Sequence, residues 1–199
     1  MQLRSEATRQ KIVSSATRLF SLNGYDGTGV AEICEAAGVS KGAFYHHFPS
    51  KQDVFLTILN DWLDQLSSQM QNARLATHNV PESLIAISSL TDQVFQISKN
   101  HYSLFFEFWI QAFRHPEIWQ VAIAPYHRFQ NWFTSLLQNG IDEGSIDPSI
   151  SPEETSRILI AMVLGLLLQA FFDPVGAAWG NVTKNGIQSM VNGFTRRPL

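Results

Sequence analysis

The segment 28–51, TGVAEICEAAGVSKGAFYHHFPSK, constrains the fold most, because it contains two helix signals separated by a tight turn. The first helix signal is a small apolar face at helical spacing, made of Ile33, Cys34 and Ala37. Gly38 supplies the usual stop after a helix, and Ser40 is a residue type that caps the start of the next one.

The second helix of this segment, 41–48, is short and has two different faces. Phe44 and Phe48 are four residues apart and share the inner face. The outer face carries Lys41, Gly42, Ala43, Tyr45 and His46. Small residues let a helix start approach another surface, and a cation, a phenol and an imidazole suit phosphates and base edges. The pattern predicts a helix-turn-helix, whose second helix lies in the major groove with its N-terminal residues at the bases.

The combination AGVSKGAFYHHFPSK, with the helix before it, resembles the DNA-binding domain of the TetR family of one-component bacterial repressors. The rest of the chain resembles the family only in length and all-helical pattern. The resemblance implies that Tyr45, His47 and Lys51 touch phosphates. It also implies that Lys41, Gly42, Ala43 and His46 approach bases. With the preceding turn and the cap, the predicted DNA-binding set is Thr28, Gly29, Ser40, Lys41, Gly42, Ala43, Tyr45, His46, His47 and Lys51.

The start of the first helix departs from the family pattern. The family commonly has Ser or Thr where this chain has Gly29, with an acid three residues on, here Glu32. The reciprocal capping box therefore lacks its hydroxyl half. This leaves the N–H of Gly29 able to face a phosphate, and Thr28 available to supply the hydroxyl. The family often has Arg at the position of Ala31, so one possible DNA contact is missing.

The charge distribution agrees with a DNA-binding N-terminal domain. The 199 residues carry a net charge of −3. Residues 1–51 contain six Lys or Arg and four Asp or Glu, a net charge of +2, and the remainder has eight against thirteen, a net charge of −5. The basic charge is therefore concentrated where the helix-turn-helix is predicted, as a DNA binder requires.

Periodicity and capping signals predict an all-α chain with about nine helices and no strands. We expect a three-helix DNA-binding domain at 1–49 and a larger helical ligand-binding and dimerisation domain at 50–199. Pro125 should kink or split its helix. Outside the helix-turn-helix, the predicted helices cover 6–22, 51–75, 82–99, 101–114, 116–139, 152–172 and 179–194.

Aromatic residues are crowded into two helices of the larger domain. Most of them are expected to be core, but they line more than one side of each helix, which favours an apolar pocket. The candidate ligand-binding residues are Phe105, Trp109, Phe113, Phe129 and Trp132. Among nearby polar residues, Glu107 would favour a cationic ligand and Arg128 an acid, with Gln111 as a further contact.

The apolar run 158–172 predicts a subunit interface. It is shorter than the roughly 20 residues that a bilayer requires, so a buried helix is the better interpretation. The TetR resemblance implies dimerisation through the last two helices in a four-helix bundle. The N-terminus has no apolar core for a signal peptide and Cys34 has no disulfide partner, so a cytoplasmic protein is expected.

No pattern predicts an enzyme, a cofactor or a metal. His46 and His47 lack the spacing of ligands on one helix face. We therefore expect a homodimeric regulator that binds a double-stranded DNA operator and is released by a small apolar or aromatic effector. The helix beginning near Ser50 would act as the lever between the two domains. Two alternatives stay open: a DNA-architectural protein of the same fold without an effector, and an apolar-ligand carrier or enzyme that does not use DNA.

Overall fold

A computed structural model describes residues 2–91, 112–113 and 116–195, and this part of the chain is helical. It contains no strand, and its only β-contact is an isolated bridge between Ile146 and Thr195. The described helices are α1 (Gln2–Asn23), α2 (Val30–Ala37), α3 (Lys41–His47), α4 (Lys51–Leu75), α5 (Val80–Ser88), α6 (Pro116–Asp142), α7 (Pro152–Phe172) and α8 (Trp179–Phe194). The all-α prediction is confirmed for these residues.

The helix predicted over 82–99 departs most from the structure. It ends at Ser88, where the N–H groups of Ser89 and Leu90 donate to carbonyls only three residues back, those of Ala86 (3.2 Å) and Ile87 (2.9 Å). Residues 92–99 of that prediction lie outside the described residues. Pro125 lies inside the continuous helix α6 and does not split it. The helix predicted over 101–114 lies largely outside the described residues.

The described residues fall into two compact units. The first contains the described part of Met1–Gln65 and of Asn100–Ile118. Helix α1 contacts both α2 and α3 in this unit. Its core consists of buried apolar side chains, including Ile12, Val13, Ala16, Phe20, Ile33, Phe44, Phe48, Val54 and Phe55. Three rings close this core near the end of α1, since Phe20, Tyr25 and Phe55 lie with ring centroids 5.1–5.8 Å apart.

The second unit contains the described part of Leu66–Lys99 and of Trp119–Leu199. Here α8 contacts α5 and α7. The buried cluster of this unit consists of Met70, Val80, Leu84, Ile87, Leu136, Leu137, Ile146, Leu159, Ile187, Val191 and Phe194. Gly140 is required by this packing, because a Cβ there would lie 2.6 Å from Cδ1 of Ile146.

Helix α7 leaves much of its apolar surface uncovered within the chain. Ile158, Leu164, Leu168 and Phe171 are exposed, and Phe172 is 73% exposed. The 21 residues Pro152–Phe172 are also long and apolar enough to cross a membrane, by length and composition only. The prediction of insufficient length concerned the apolar run 158–172 alone, to which the helix adds residues 152–157. A single helix of this kind is weak evidence for a membrane span, since core helices of soluble proteins meet the same criterion of length and composition.

Candidate nucleic-acid interface

The start of α3 is fixed by the turn that precedes it. Gly38 adopts a left-handed conformation with φ 65°, which glycine tolerates and which ends α2. Ser40 then has an extended backbone, and its Oγ accepts a hydrogen bond from the N–H of Ala43 (3.1 Å). The predicted stop and the predicted cap are both confirmed. Together they determine where the first turn of α3 begins and which way it points.

The inner face of α3 anchors the helix through two phenylalanines. Phe44 is fully buried and Phe48 nearly so, with ring centroids 6.1 Å apart. The guanidinium of Arg9 on α1 lies 5.3 Å from the centroid of the Phe48 ring. A helix of seven residues is unstable alone, so this burial is what holds α3 in place.

The outer face of α3 is open. Lys41, Gly42 and His46 are exposed, and Tyr45 is 54% exposed, whereas Ala43 and His47 are half-buried. A Cβ on Gly42 would have only Oγ of Ser40 within 4 Å, at 3.8 Å, so the fold itself does not require glycine there. The structure therefore leaves Lys41, Gly42, Tyr45 and His46 accessible on the outer side of α3, which we term the open edge, while Ala43 and His47 are partly covered.

Thr28 and Gly29 are already engaged within the chain. The side chain of Thr28 is fully buried, and its hydroxyl donates to the carbonyl of Gly24 (2.8 Å) rather than capping α2. The N–H of Gly29 donates to Oε2 of Glu32 (2.7 Å). The expectations that Thr28 supplies the cap hydroxyl and that this N–H is left for a phosphate are therefore wrong. Glu32 supplies the acidic half of the capping box, as its position predicts.

Lys51, at the first position of α4, points its ammonium at the backbone. Nζ donates to the carbonyl of Tyr25 (2.7 Å) and to that of Thr28 (3.0 Å), and it lies 4.1 Å from the centroid of the Tyr25 ring. Sequence reasoning missed these contacts, because they join residues 26 and 23 positions apart. Next to it, the Ser50 hydroxyl caps α4 by accepting from the N–H of Asp53 (3.2 Å) and donates to the Asp53 carboxylate (2.6 Å).

The described residues contain no group of three His, Cys, Asp or Glu side chains that could hold a metal ion. The rings of His46 and His47 lie edge to face with centroids 5.1 Å apart. Cys34 on α2 is buried, and burial raises the pKa of its thiol, an effect that the charge of Lys41 partly opposes. The chemistry available at the open edge is thus hydrogen bonding and positive charge, which suit DNA.

The predicted ligand-binding residues are only partly described. Phe129 and Trp132 pack against the buried cluster of the second unit, and the indole N–H of Trp132 donates to Oε1 of Gln71 (3.4 Å). The guanidinium of Arg128 lies 5.7 Å from the Phe129 ring centroid. Phe113 is 74% exposed. Phe105, Trp109, Glu107 and Gln111 lie outside the described residues.

Two protein families match the chain. Residues 12–58 match the family described as bacterial regulatory proteins, tetR family. Residues 86–193, more than half of the chain, match the family described as BetI-type transcriptional repressor, C-terminal. Among curated proteins, the HTH-type transcriptional regulator UidR of Escherichia coli strain K12 is 24% identical over 194 residues, covering 98% of this chain and 96% of the relative.

Solved structures with the same fold also belong to regulators. A transcriptional regulator from Saccharomonospora viridis, solved in complex with choline, superimposes with a TM-score of 0.80 at 19% identity and covers 95% of this chain and 98% of its own. A TetR-family regulator from Agrobacterium tumefaciens gives a TM-score of 0.75 at 19% identity, covering 96% and 100% of the two chains.

Proposed function

Because the chain belongs to the TetR family of bacterial regulatory proteins, and is thus a DNA-binding transcriptional regulator and not an enzyme, we propose that it is a cytoplasmic repressor. Two copies bind a near-palindromic operator, and a small, largely apolar effector releases them. The DNA-binding role is supported by the open edge of α3, a helix that is capped by Ser40 and held in place by the buried rings of Phe44 and Phe48. The exposed side chains of this edge are not part of the buried core of the first unit.

The dimer forms through the exposed apolar surface of the last two helices. This apolar face consists of Ile158, Leu164, Leu168, Phe171 and Phe172 on α7, with Val182 on α8. Gly165 lies among these residues, and a Cβ there would have no neighbour within 4 Å, so a second helix has room to approach. A two-fold dimer places two copies of α3 in successive major grooves, about 34–36 Å apart.

The effector acts by shifting the population of dimers away from the DNA-competent state. Helix α4, which has residues in both compact units, is the element that transmits the change. A coupling of roughly 1–3 kcal/mol changes operator affinity by up to about a hundredfold. Trp132 supplies an aromatic ring of the kind that binds quaternary ammonium groups, whereas the Phe129 ring already faces the Arg128 guanidinium. Choline, the ligand of the Saccharomonospora viridis regulator, is therefore a suitable first probe.

DNA binding is tested by fluorescence anisotropy with the DNA upstream of the protein's own gene. Tyr45→Ala should weaken binding about tenfold at every DNA sequence and leave its dependence on salt unchanged, because a neutral hydroxyl contact to a phosphate is lost while no charge is removed. Tyr45→Phe is the matched control: it keeps the ring beside Phe44 (centroids 5.3 Å apart) and removes only the hydroxyl, so equal losses in both variants assign the contact to the hydroxyl. Unchanged affinity in both variants would reject this placement of the phosphate contact.

Effector release is tested with choline and with a small neutral aromatic compound such as phenol. An effector should raise the melting temperature of the protein and lower its operator affinity in the same concentration range, because it binds one conformation preferentially. A compound that stabilises the protein without releasing DNA would favour a carrier role. If no compound of either class does both, the architectural alternative without an effector is favoured.

A further inference from the structure

The ammonium of Lys51 connects the two ends of the helix-turn-helix. Its two acceptors, the carbonyls of Tyr25 and Thr28, lie in the turn between α1 and α2. Thr28 directly precedes Gly29, the N-cap of α2, and Lys51 follows Phe48, the C-cap of α3, by three residues. These contacts, which we term the Lys51 bridge, therefore close a loop that contains the whole of α2 and α3.

The acceptor side of the Lys51 bridge is rigid. The Tyr25 ring packs between Phe20 and Phe55, with centroid distances of 5.4 and 5.1 Å. The turn before it is fixed by Gly24, which has a φ of 77°, and by the buried Thr28 hydroxyl that donates to the Gly24 carbonyl. The carbonyls of Tyr25 and Thr28 are thus held at fixed positions in front of the Lys51 side chain.

The donor side is committed to these acceptors. An ammonium has three N–H donors. In Lys51 two of them donate to carbonyls at 2.7 and 3.0 Å, while the ring of Tyr25 lies 4.1 Å from Nζ. Reaching a DNA phosphate would break two charge-assisted hydrogen bonds and a cation–π contact, which are among the stronger contacts available to a partly buried lysine.

We propose that Lys51 is a positioning residue for operator binding, which holds the start of α2 and the end of α3 in register, and not a direct phosphate contact. The inference rests on the proposed DNA-binding role of α3. It replaces the role that the family resemblance implies for this lysine. A binding edge must be held to within about half an ångström by the residues behind it, so loss of the bridge lowers affinity without removing a contact to DNA.

The salt dependence of operator binding distinguishes the two roles. Lys51→Met should weaken binding about tenfold with an unchanged slope of log affinity against log salt. The matched reference is Lys41→Met, which removes an exposed charge from the outer side of α3. The family resemblance places Lys41 near the bases, but its charge still displaces counterions from the duplex, so the slope should fall by up to about 0.9 per subunit. A comparable fall in slope for Lys51→Met would overturn the proposal, and so would unchanged affinity.

Lys51→Arg supplies an independent discriminator that does not alter the charge. The planar guanidinium with its five donors does not fit a site built for one nitrogen between two carbonyls and a ring. We therefore expect weaker operator binding, by about threefold to tenfold. A direct phosphate contact predicts the opposite, since arginine binds phosphates at least as well as lysine. Operator affinity equal to or above that of the original protein would overturn the proposal even if Lys51→Met fails to fold.

Amide hydrogen exchange tests the Lys51 bridge without DNA. Lys51→Met should exchange about tenfold faster than the original protein over residues 24–29, whereas Lys41→Met should not. Unchanged exchange there overturns the bridge. If the exchange result is as expected but the original protein shows no salt-dependent binding to its upstream DNA, the proposed function has failed and the bridge has not.

Discussion

Helices α3 and α7 both present surface that their own chain does not cover, but the two surfaces are chemically opposite. The open edge of α3 carries Lys41, Gly42 and Tyr45, above a face held by the buried Phe44. The uncovered surface of α7 is the apolar face that includes Leu168 and Phe172. Both helices begin with a serine cap whose Oγ accepts from the N–H three residues on.

The difference indicates two different partners. Polar and cationic groups at a helix start gain most from a phosphate-rich surface and lose little when left in water. Large apolar side chains gain only when another apolar surface removes them from water, at about 25 cal/mol per Å². A second copy of the chain presents the same apolar face, so the two-fold pairing satisfies both chains at once. The exposed area of a surface therefore does not identify its partner; the polarity and charge of the exposed atoms do.

The largest expected effect concerns the apolar face. Leu168→Asp should convert the dimer to a monomer, because a two-fold interface contains each substitution twice and would bury two unpaired carboxylates, a cost of roughly 6 kcal/mol or more. Sedimentation or light scattering measures the change in mass. Leu75→Asp, which alters an exposed leucine at the end of α4, is the control and should leave the dimer intact. A dimeric Leu168→Asp protein would place the interface elsewhere.

The next effect concerns the buried side of α3. Phe44→Ala should lower the free energy of unfolding by about 3–5 kcal/mol, since it removes a fully buried ring and leaves a cavity. Urea unfolding followed by circular dichroism measures the loss. Tyr45→Ala, one residue further on, removes a half-exposed ring that packs against Phe44 and should cost only about 1 kcal/mol. If the two substitutions cost the same, the inner and outer faces of α3 have been assigned incorrectly.

The two serine caps allow a matched comparison between the helices. Ser40→Ala and Ser151→Ala should each lower the free energy of unfolding by about 1 kcal/mol, because each leaves one N–H without its acceptor. Only Ser40→Ala should also weaken operator binding, since it loosens the first turn of α3, the helix that we propose to contact DNA. A similar loss of operator affinity in Ser151→Ala would contradict the separation of roles.

The smallest expected effect concerns the cysteine beneath α3. Burial raises the pKa of the Cys34 thiol, so at pH 8 little thiolate is present and alkylation by iodoacetamide should be slow. Because the charge of Lys41 opposes this rise, Lys41→Met should raise the pKa further and slow alkylation again, by about twofold. The rate in each variant, followed by mass spectrometry across pH 7–9, measures the effect. Faster alkylation in Lys41→Met would indicate that the substitution opens α2 instead.

Local signals predicted the helix-turn-helix well. The positive φ of Gly38, the cap by Ser40 and the buried pair Phe44 and Phe48 all follow from residue types at short spacings. The bounds of α8 are likewise the predicted ones. In each case the residues that determine the feature lie within one or two helical turns of one another, so a short sequence pattern contains all of them.

The contacts of Lys51 and Glu143 could not be predicted in the same way, because their partners are distant in the chain. The carboxylate of Glu143 accepts from the N–H of Val80 (2.8 Å) and lies 3.6 Å from the guanidinium of Arg74. Of the two outcomes predicted for Pro125, a kink or a split, the continuity of α6 excludes only the split. No short-range signal shows which of several carbonyls an ammonium will meet, or whether neighbouring helices will support a proline inside a helix.

The carboxylate of Glu32 has a consequence for how this protein meets the double helix. By accepting from the N–H of Gly29, it places a negative charge where the positive end of the α2 dipole would otherwise attract the sugar–phosphate chain. With alanine at residue 31 as well, α2 offers a phosphate few favourable contacts, so in the proposed complex discrimination among target sites falls to the side chains of α3. Small changes in α3 should therefore redirect the regulator to different genes.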